Sequence, residues 1–371
     1  MLKFFAVEKN AAFLLLAFAI AGLVIANGPI GADFSHFSHK TLQLLPTLEL
    51  SPSDLTAELL MTGFFLLVGL ELKRELSVGV FKQRSALLLP GLAALFGALV
   101  PAAVYFAFTF GDPITNKGWG IPMATDLTFA LAVFSLFGKS WPTQARTFVL
   151  AFAVIDDLIA IAVIALFIST SISVFWLLFA ILALAGYWLF AKLGLLWVMP
   201  VLGLAAWYCM FQSGIQPAVV GVVLGLLVST KHVAAIERAV HPWVSLLILP
   251  CFAFFATAVN FGPEVILLAP VALAVMLRPI GKIVGINLGV LLARRVFRQK
   301  SFEAITSRGF LALSTLGGIG FSVALLIANQ TFGAGSALAA QAIAATLIAM
   351  LVSIAMAALS LKKLGSDLAK P

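Results

Sequence analysis

The chain has 371 residues, 62% of them hydrophobic and only 10% charged, with a formal net charge of +8 and a mean hydropathy of +1.13. A soluble domain carries about 25% charged residues, so this composition excludes a water-soluble globular fold. Apolar runs recur along nearly the whole length and are continuous rather than alternating; this excludes a transmembrane β-barrel and predicts an all-α polytopic membrane protein.

Spans are expected over about 11–27, 55–79, 87–109, 114–137, 143–168, 173–192, 195–210, 213–230, 242–261, 265–293, 308–331 and 336–361, twelve in all. The start, MLKFFAVEKNAAFLLLAFAIAGLVIANG, has the outline of a signal peptide, but Glu8 interrupts its basic stretch and it reads as the first span. The longest connection, 28–54, contains TLQLLPTLELSPSD, whose alternation around Pro46 and Pro52 predicts a short surface β-hairpin at about 40–54. No second domain is visible, so residues 1–371 read as one transporter domain. Cys209 and Cys251 lie in apolar runs and read as buried small hydrophobes, with neither a disulfide framework nor zinc spacing.

Two spans are interrupted. The fourth carries Gly118, Gly120 and Pro122 before Ala124-Thr125-Asp126, and the eleventh carries Gly317-Gly318-Ile319-Gly320-Phe321-Ser322. Such residues in mid-span let the backbone unwind where it lines a cavity, although close helix packing also uses glycine. In the tenth span Gly281, Gly285 and Gly289 recur every four residues, which is a close-packing face.

Of the 23 Lys and Arg, 19 fall at the ends and loops of one side, Lys40 and Lys117 lie on the other, and Arg278 and Lys282 stay inside a span. The positive-inside rule then places both termini and every second loop in the cytoplasm and requires an even number of spans. The basic residues are topogenic, and no basic arm for nucleic acid exists.

The chemistry rests on Asp126, Asp156, Asp157, Arg278 and Lys282, all within spans. Five such charges would cost about 12–17 kcal/mol on insertion scales, against a total stability of about 5–15 kcal/mol. They must pair, neutralise or be hydrated. Asp156 and Asp157 are adjacent on a helix and point about 100° apart, so one faces an ion site and the other a neighbouring helix or the funnel edge. Neighbouring carboxylates in low dielectric resist double ionisation, so a proton and a small cation compete for them. That is the minimum equipment for cation/proton exchange; a buried salt bridge that only fixes packing is the plainer reading. Lys282 can serve as a counter-charge that also sheds a proton, whereas Arg278, one turn earlier, holds its charge permanently. At the end of the second span Glu71, Arg74 and Glu75 form a charged cluster, and Glu237, Arg238 and His241 precede the ninth span; solvated ion pairs account for both equally well.

These residues, in this order, resemble the NhaA family of bacterial sodium/proton antiporters over nearly the whole chain. The resemblance is carried by FFLLVGLELKREL at 64–76, ATDLTFAL at 124–131, IDDLIAIAVIALF at 155–167, HPWV at 241–244, LILPCFAF at 247–254, GKIVGI at 281–286 and GGIGFSVALLIA at 317–328. It implies twelve helices, two inverted-topology repeats over about 87–168 and 265–361, and spans four and eleven broken and crossing at midplane. It implies an electrogenic sodium (lithium)/proton antiporter of the bacterial inner membrane working by alternating access, not an enzyme, with no cofactor beyond the transported ions. Asp157 would be the principal sodium carboxylate. Asp156 would pair with Lys282 when sodium is absent, and help bind it or carry a proton. Thr125 would add an oxygen, while Asp126 and Lys282 would offset the facing half-helix charges. Glu71, Arg74, Glu75 and Glu237 match a cluster tied to pH activation. Membrane lipid and a homodimer joined through the 40–54 hairpin would be the partners.

Three positions depart from the family pattern. Gln216 stands where a histidine is expected, Arg238 follows the regulatory glutamate in place of a histidine, and Arg278-Pro279 offers a second register for a Lys-Pro pair. The spacing of GKIVGINLGVLLARR favours Lys282, with Arg278 as the alternative counter-charge. Intramembrane aspartyl proteolysis would need acids on separate helices in Tyr-Asp and Gly-x-Gly-Asp motifs, and neither motif occurs. A sodium-coupled organic-anion symporter on a related fold is the other competing reading.

Overall fold

In the computed structural model, residues 8–77, 84–168, 172–262, 265–298 and 302–368 are described; Lys3, Lys82, Lys300 and Lys370 of the expected basic side, and both chain ends, lie outside them. The chain divides into two compact units. Among the described residues, seven helices are long and apolar enough to cross a membrane, or up to ten if each of three bent pairs forms one span.

The first unit comprises mainly residues 14–82 and 161–258. Its helix α1 (Glu8–Ala26) turns by 112° into α2 (Gly31–His39). The strands β1 (Leu42–Leu45) and β2 (Leu48–Leu50) follow, pairing antiparallel with Leu42 opposite Leu50 and a bulge between Gln43 and Leu45. α3 (Pro52–Ser77) opens with a capping box on Ser51 and includes a π-helical stretch at Leu55–Leu60. Then come α4 (Arg84–Phe108), α5 (Leu127–Phe137) and α6 (Thr143–Val163, continued by a π-helical turn Ile164–Ile168), of which only the end of α6 belongs to this unit. α7 (Val174–Leu193), α8 (Met199–Gln212), α9 (Ala218–Leu227) and α10 (Val233–Ala256) complete it.

Small residues set the helix spacing here. A Cβ on Gly221 or Gly225 of α9 would stand 2.2 Å from Thr62 O and 2.6 Å from Leu66 O of α3, and one on Gly69 of α3 2.4 Å from Val222 O. Backbones therefore touch along this pair, as small residues permit between membrane helices. α7, α8 and α9 share a core around Ala180, Tyr187, Met199, Ala206 and Val220. The hairpin is seated on α8: Leu48 and Leu50 bury against Trp207, and Gln212 Nε2 donates to Thr47 O at 2.7 Å.

The second unit comprises mainly residues 83–160 and 259–371. It holds α4, α5, most of α6, a 3-10 helix at Thr115–Met123, α11 (Pro270–Met276), α12 (Arg278–Arg295), α13 (Ser307–Gly317), α14 (Ser322–Phe332) and α15 (Ala337–Leu368). The glycine row of the tenth span faces α4: a Cβ on Gly285 would lie 2.2 Å from Phe96 O and one on Gly289 2.2 Å from Leu92 O.

Three boundaries differ from the sequence expectation. The ninth span begins at Val233, nine residues early, because Val233–Trp243 is itself helical and runs through Pro242 into a π-helical turn at Val244–Ile248; its polar residues mark one helix face rather than a loop. The tenth span is two helices bent by 49° at Leu277, where Pro279 at the second helical position disfavours a continuous ladder. α2 is an additional helix within the 28–54 connection.

Candidate functional site

Both interrupted elements lie in the second unit, and their breaks are bonded to each other. The 3-10 helix ends at Met123 and residues 124–126 are extended; α13 ends at Gly317 and α14 starts at Ser322, with the pair bent by 48°. Thr125 Oγ1 donates to Gly317 O at 2.7 Å, and Asp126 N donates to Ile319 O at 2.7 Å. Two unwound strands thus satisfy part of their backbone demand against one another, as unwound backbone must where no water competes.

Helix ends carry partial charges, positive at N-termini and negative at C-termini. Asp126 sits at two N-termini at once. It caps α5 by accepting from Phe129 N at 3.3 Å, and accepts from Ser322 N at 3.2 Å and Ser322 Oγ at 2.8 Å at the first residue of α14. The cation on the carbonyl side is Arg278 rather than Lys282: its Nη2 donates to Gly320 O at 2.9 Å and to Thr346 O of α15 at 3.3 Å. Lys282, one turn further along α12, reaches α6 instead. Its Nζ donates to Asp156 Oδ1 at 2.8 Å and Oδ2 at 2.7 Å, and both side chains are fully buried.

Asp156 also accepts from Thr125 N at 2.9 Å. The lysine, the aspartate and the break at 124–126 are therefore one bonded chain that ends on Gly317 O. Asp157, the next residue on α6, is 2% exposed. The Phe152 ring, one turn before Asp156, lies 5.8 Å from Lys282 Nζ. The donors gathered here are hard oxygens, two carboxylates and the Thr125 hydroxyl, which suit a small hard cation.

The second group of expected residues falls in the first unit. Arg74 of α3 donates to Glu237 of α10, and its other terminal nitrogen lies 3.6 Å from Glu75. Glu71 stands one turn before Glu75 on the same helix. His241 Nδ1 lies 3.5 Å from Ser245 Oγ. Gln216 donates to Glu58 Oε2 at 3.1 Å, and Glu58 sits in the π-helical stretch of α3. Phe152, Thr346 and the carbonyls of Gly317 and Gly320 were not expected from sequence: an apolar ring and backbone oxygens leave no mark of their own in a hydrophobic span.

A family model described as Na+/H+ antiporter 1 matches residues 2–361. The chain belongs to this family. It is similar to the Na(+)/H(+) antiporter NhaA of Proteus mirabilis, with 37% identity over 347 residues, 89% of this chain and 88% of that protein. The NhaA of Tropheryma whipplei is 35% identical over 365 residues, 94% and 92% of the two chains, and that of Nocardia farcinica 36% identical over 373 residues, 95% and 88%. Membership in the Na+/H+ antiporter 1 family and the row of apolar helices make this a multi-pass membrane protein of the sodium/proton exchange class.

Proposed function

We propose that the protein is an electrogenic antiporter of the bacterial inner membrane that exports sodium or lithium in exchange for protons. The observation that carries this reading is the buried Asp156–Lys282 pair beside Asp157, tied through Thr125 to the break in a helix. Asp157 is the principal cation carboxylate. Asp156 is held by Lys282 until the cation arrives; Thr125, whose hydroxyl proton is engaged by Gly317 O, keeps oxygen lone pairs for the ion. A buried carboxylate that loses its lysine must gain another positive charge, so cation entry and release of Lys282 are coupled. Two protonatable groups traded for one monovalent cation move net charge, hence the electrogenic exchange. Alternating access rocks one bundle against the other, with Asp126 and Arg278 holding the helix ends at the crossing.

Support for a twelve-span architecture with inverted repeats over 87–168 and 265–361 comes from the seven long helices, the three bent pairs and the two shorter apolar helices α8 and α9, and from the two interrupted elements that meet. Both termini are cytoplasmic in this reading. The Arg74–Glu237 tie supports a pH-responsive role for Glu71, Arg74, Glu75 and Glu237. The acids are consecutive on one helix and one of them is bonded to lysine, which favours transport over peptide-bond hydrolysis. The 40–54 hairpin joins two protomers in a homodimer.

Everted membrane vesicles carrying the protein should lose an imposed pH gradient when sodium is added, faster with potassium and valinomycin present to dissipate voltage. Asp157→Asn should abolish the response. A sodium-insensitive gradient, or a fully active Asp157→Asn protein, would overturn the proposal.

A further inference from the structure

The first unit holds a cavity of about 490 Å³ between α3, α7, α8, α9 and α10. Apolar side chains make most of its wall, among them Leu66, Met199, Leu224 and Ile236, and no charged side chain lines it among the described residues. Leu204, also in the wall, is 56% exposed, so the cavity opens to the outside of the unit. Three side chains bring polar atoms to it. Thr62 Oγ1 donates to Glu58 O at 2.7 Å, and Trp207 Nε1 donates to the same oxygen at 2.9 Å. Tyr187 is only 5% exposed, and its hydroxyl bonds to no described residue. A tyrosine buried to that degree usually satisfies its hydroxyl, and this one forms part of the cavity wall.

We infer that this cavity binds one neutral single-chain amphiphile taken from the bilayer, with its hydroxyl on the Tyr187 oxygen and its alkyl chain along Leu66, Met199 and Leu224. Clefts of this size, apolar apart from one or two placed polar atoms, suit such molecules. An ionic headgroup would find no opposite charge in the wall, and burial penalises an unpaired charge heavily. The wall from Met199 to Trp207 covers about 12 Å of α8, the length of one medium alkyl chain. Ile236 precedes Glu237 on α10, and Leu66 lies two turns before Arg74 on α3. The bound chain therefore packs against the two helices that the Arg74–Glu237 contact joins.

The test is photolabelling of the full-length protein in phosphatidylcholine nanodiscs with a diazirine-bearing octanol, mapped by peptide mass spectrometry. Expected is saturable labelling at Tyr187, Met199 or Ile236 that excess octanol suppresses. Tyr187→Phe should raise the half-saturating concentration about fivefold, the loss of one hydrogen bond. Gly203 offers a steric probe, since a Cβ there would meet Leu224 Cδ1 at 3.4 Å and Tyr187 Cε2 at 4.0 Å, both ordinary contacts. Gly203→Ala should keep saturable labelling, and Gly203→Leu, which fills the cavity, should abolish it. Tyr187→Phe removes a single oxygen and keeps the test decisive should Gly203→Leu misfold. Labelling that never saturates and spreads over the exposed Leu182 and Val201 would overturn the assignment. So would an unchanged Tyr187→Phe protein, or a folded Gly203→Leu protein that labels like the parent. Equal labelling of the same residues by phosphatidylcholine with a diazirine on its acyl chain would also overturn it, in favour of an ordinary lipid tail.

Discussion

Lys282 and Asp156 form a pair in which neither side chain has water to fall back on. Removing one partner of such a pair costs about 3–5 kcal/mol because the other charge is left buried. Lys282→Met should therefore lower the melting temperature in detergent sharply, and adding Asp156→Asn should restore most of it without restoring exchange. A Lys282→Met protein that melts like the parent would show that the pair does not hold the fold. Gly320 makes a second residue-level case. A Cβ there would lie 2.2 Å from Ala124 O and 2.9 Å from Arg278 Nη1, whereas one on Gly317 would first meet the methyl end of Ile286 at 2.4 Å. A backbone carbonyl at a helix crossing cannot swing aside; a flexible side chain can. Gly320→Ala should thus cost more stability and flux than Gly317→Ala, a comparison that thermal melting and vesicle assays both read. The ionisable members of the site were legible in sequence because a charge in an apolar run has no inexpensive explanation. The register of GKIVGINLGVLLARR favoured Lys282 over Arg278 as the partner of Asp156, where Lys282 is found. What Arg278 does instead, donating to Gly320 O and Thr346 O, was not legible, because backbone acceptors leave no mark in sequence.

Among the elements, glycine repeats at four-residue spacing were read correctly as a packing face in the tenth span, but the spacing could not name the partner. Backbone carbonyls of α4 fill that face, and the same device joins α3 to α9. Gly285→Ala should cost about 1–3 kcal/mol by overpacking, while Gly281→Ala should cost less, because its nearest neighbour is Pro101 Cα at 3.2 Å; unfolding midpoints of the two variants should separate accordingly. Sequence reading erred where a helix is amphipathic. Val233–Trp243 carries Glu237, Arg238 and His241, and polarity there was taken for a loop. The segment is helical because its polar residues share a face, and that face brings Glu237 to Arg74.

For the molecule as a whole, the hairpin has one side committed to α8 through Leu48, Leu50 and Trp207, while Leu42 remains 46% exposed. A two-stranded sheet with an open edge is a template for pairing. Deleting residues 42–50 should convert a dimer to a monomer in light scattering while leaving the sodium-dependent proton flux measurable; a dimer that survives the deletion would remove the hairpin from the interface. Composition and hydropathy alone settled that the chain is a helical membrane protein, because a bilayer admits little else for such a sequence. Motif order was enough to place it among sodium/proton antiporters. Which carbonyls stand against the helix breaks, and that Arg278 rather than Lys282 meets Gly320 O, came only from tertiary structure. Hydropathy reports how much each segment avoids water. It is blind to the rotation and offset of one helix against another, and a shift of a single turn there exchanges Lys282 for Arg278 opposite Asp156.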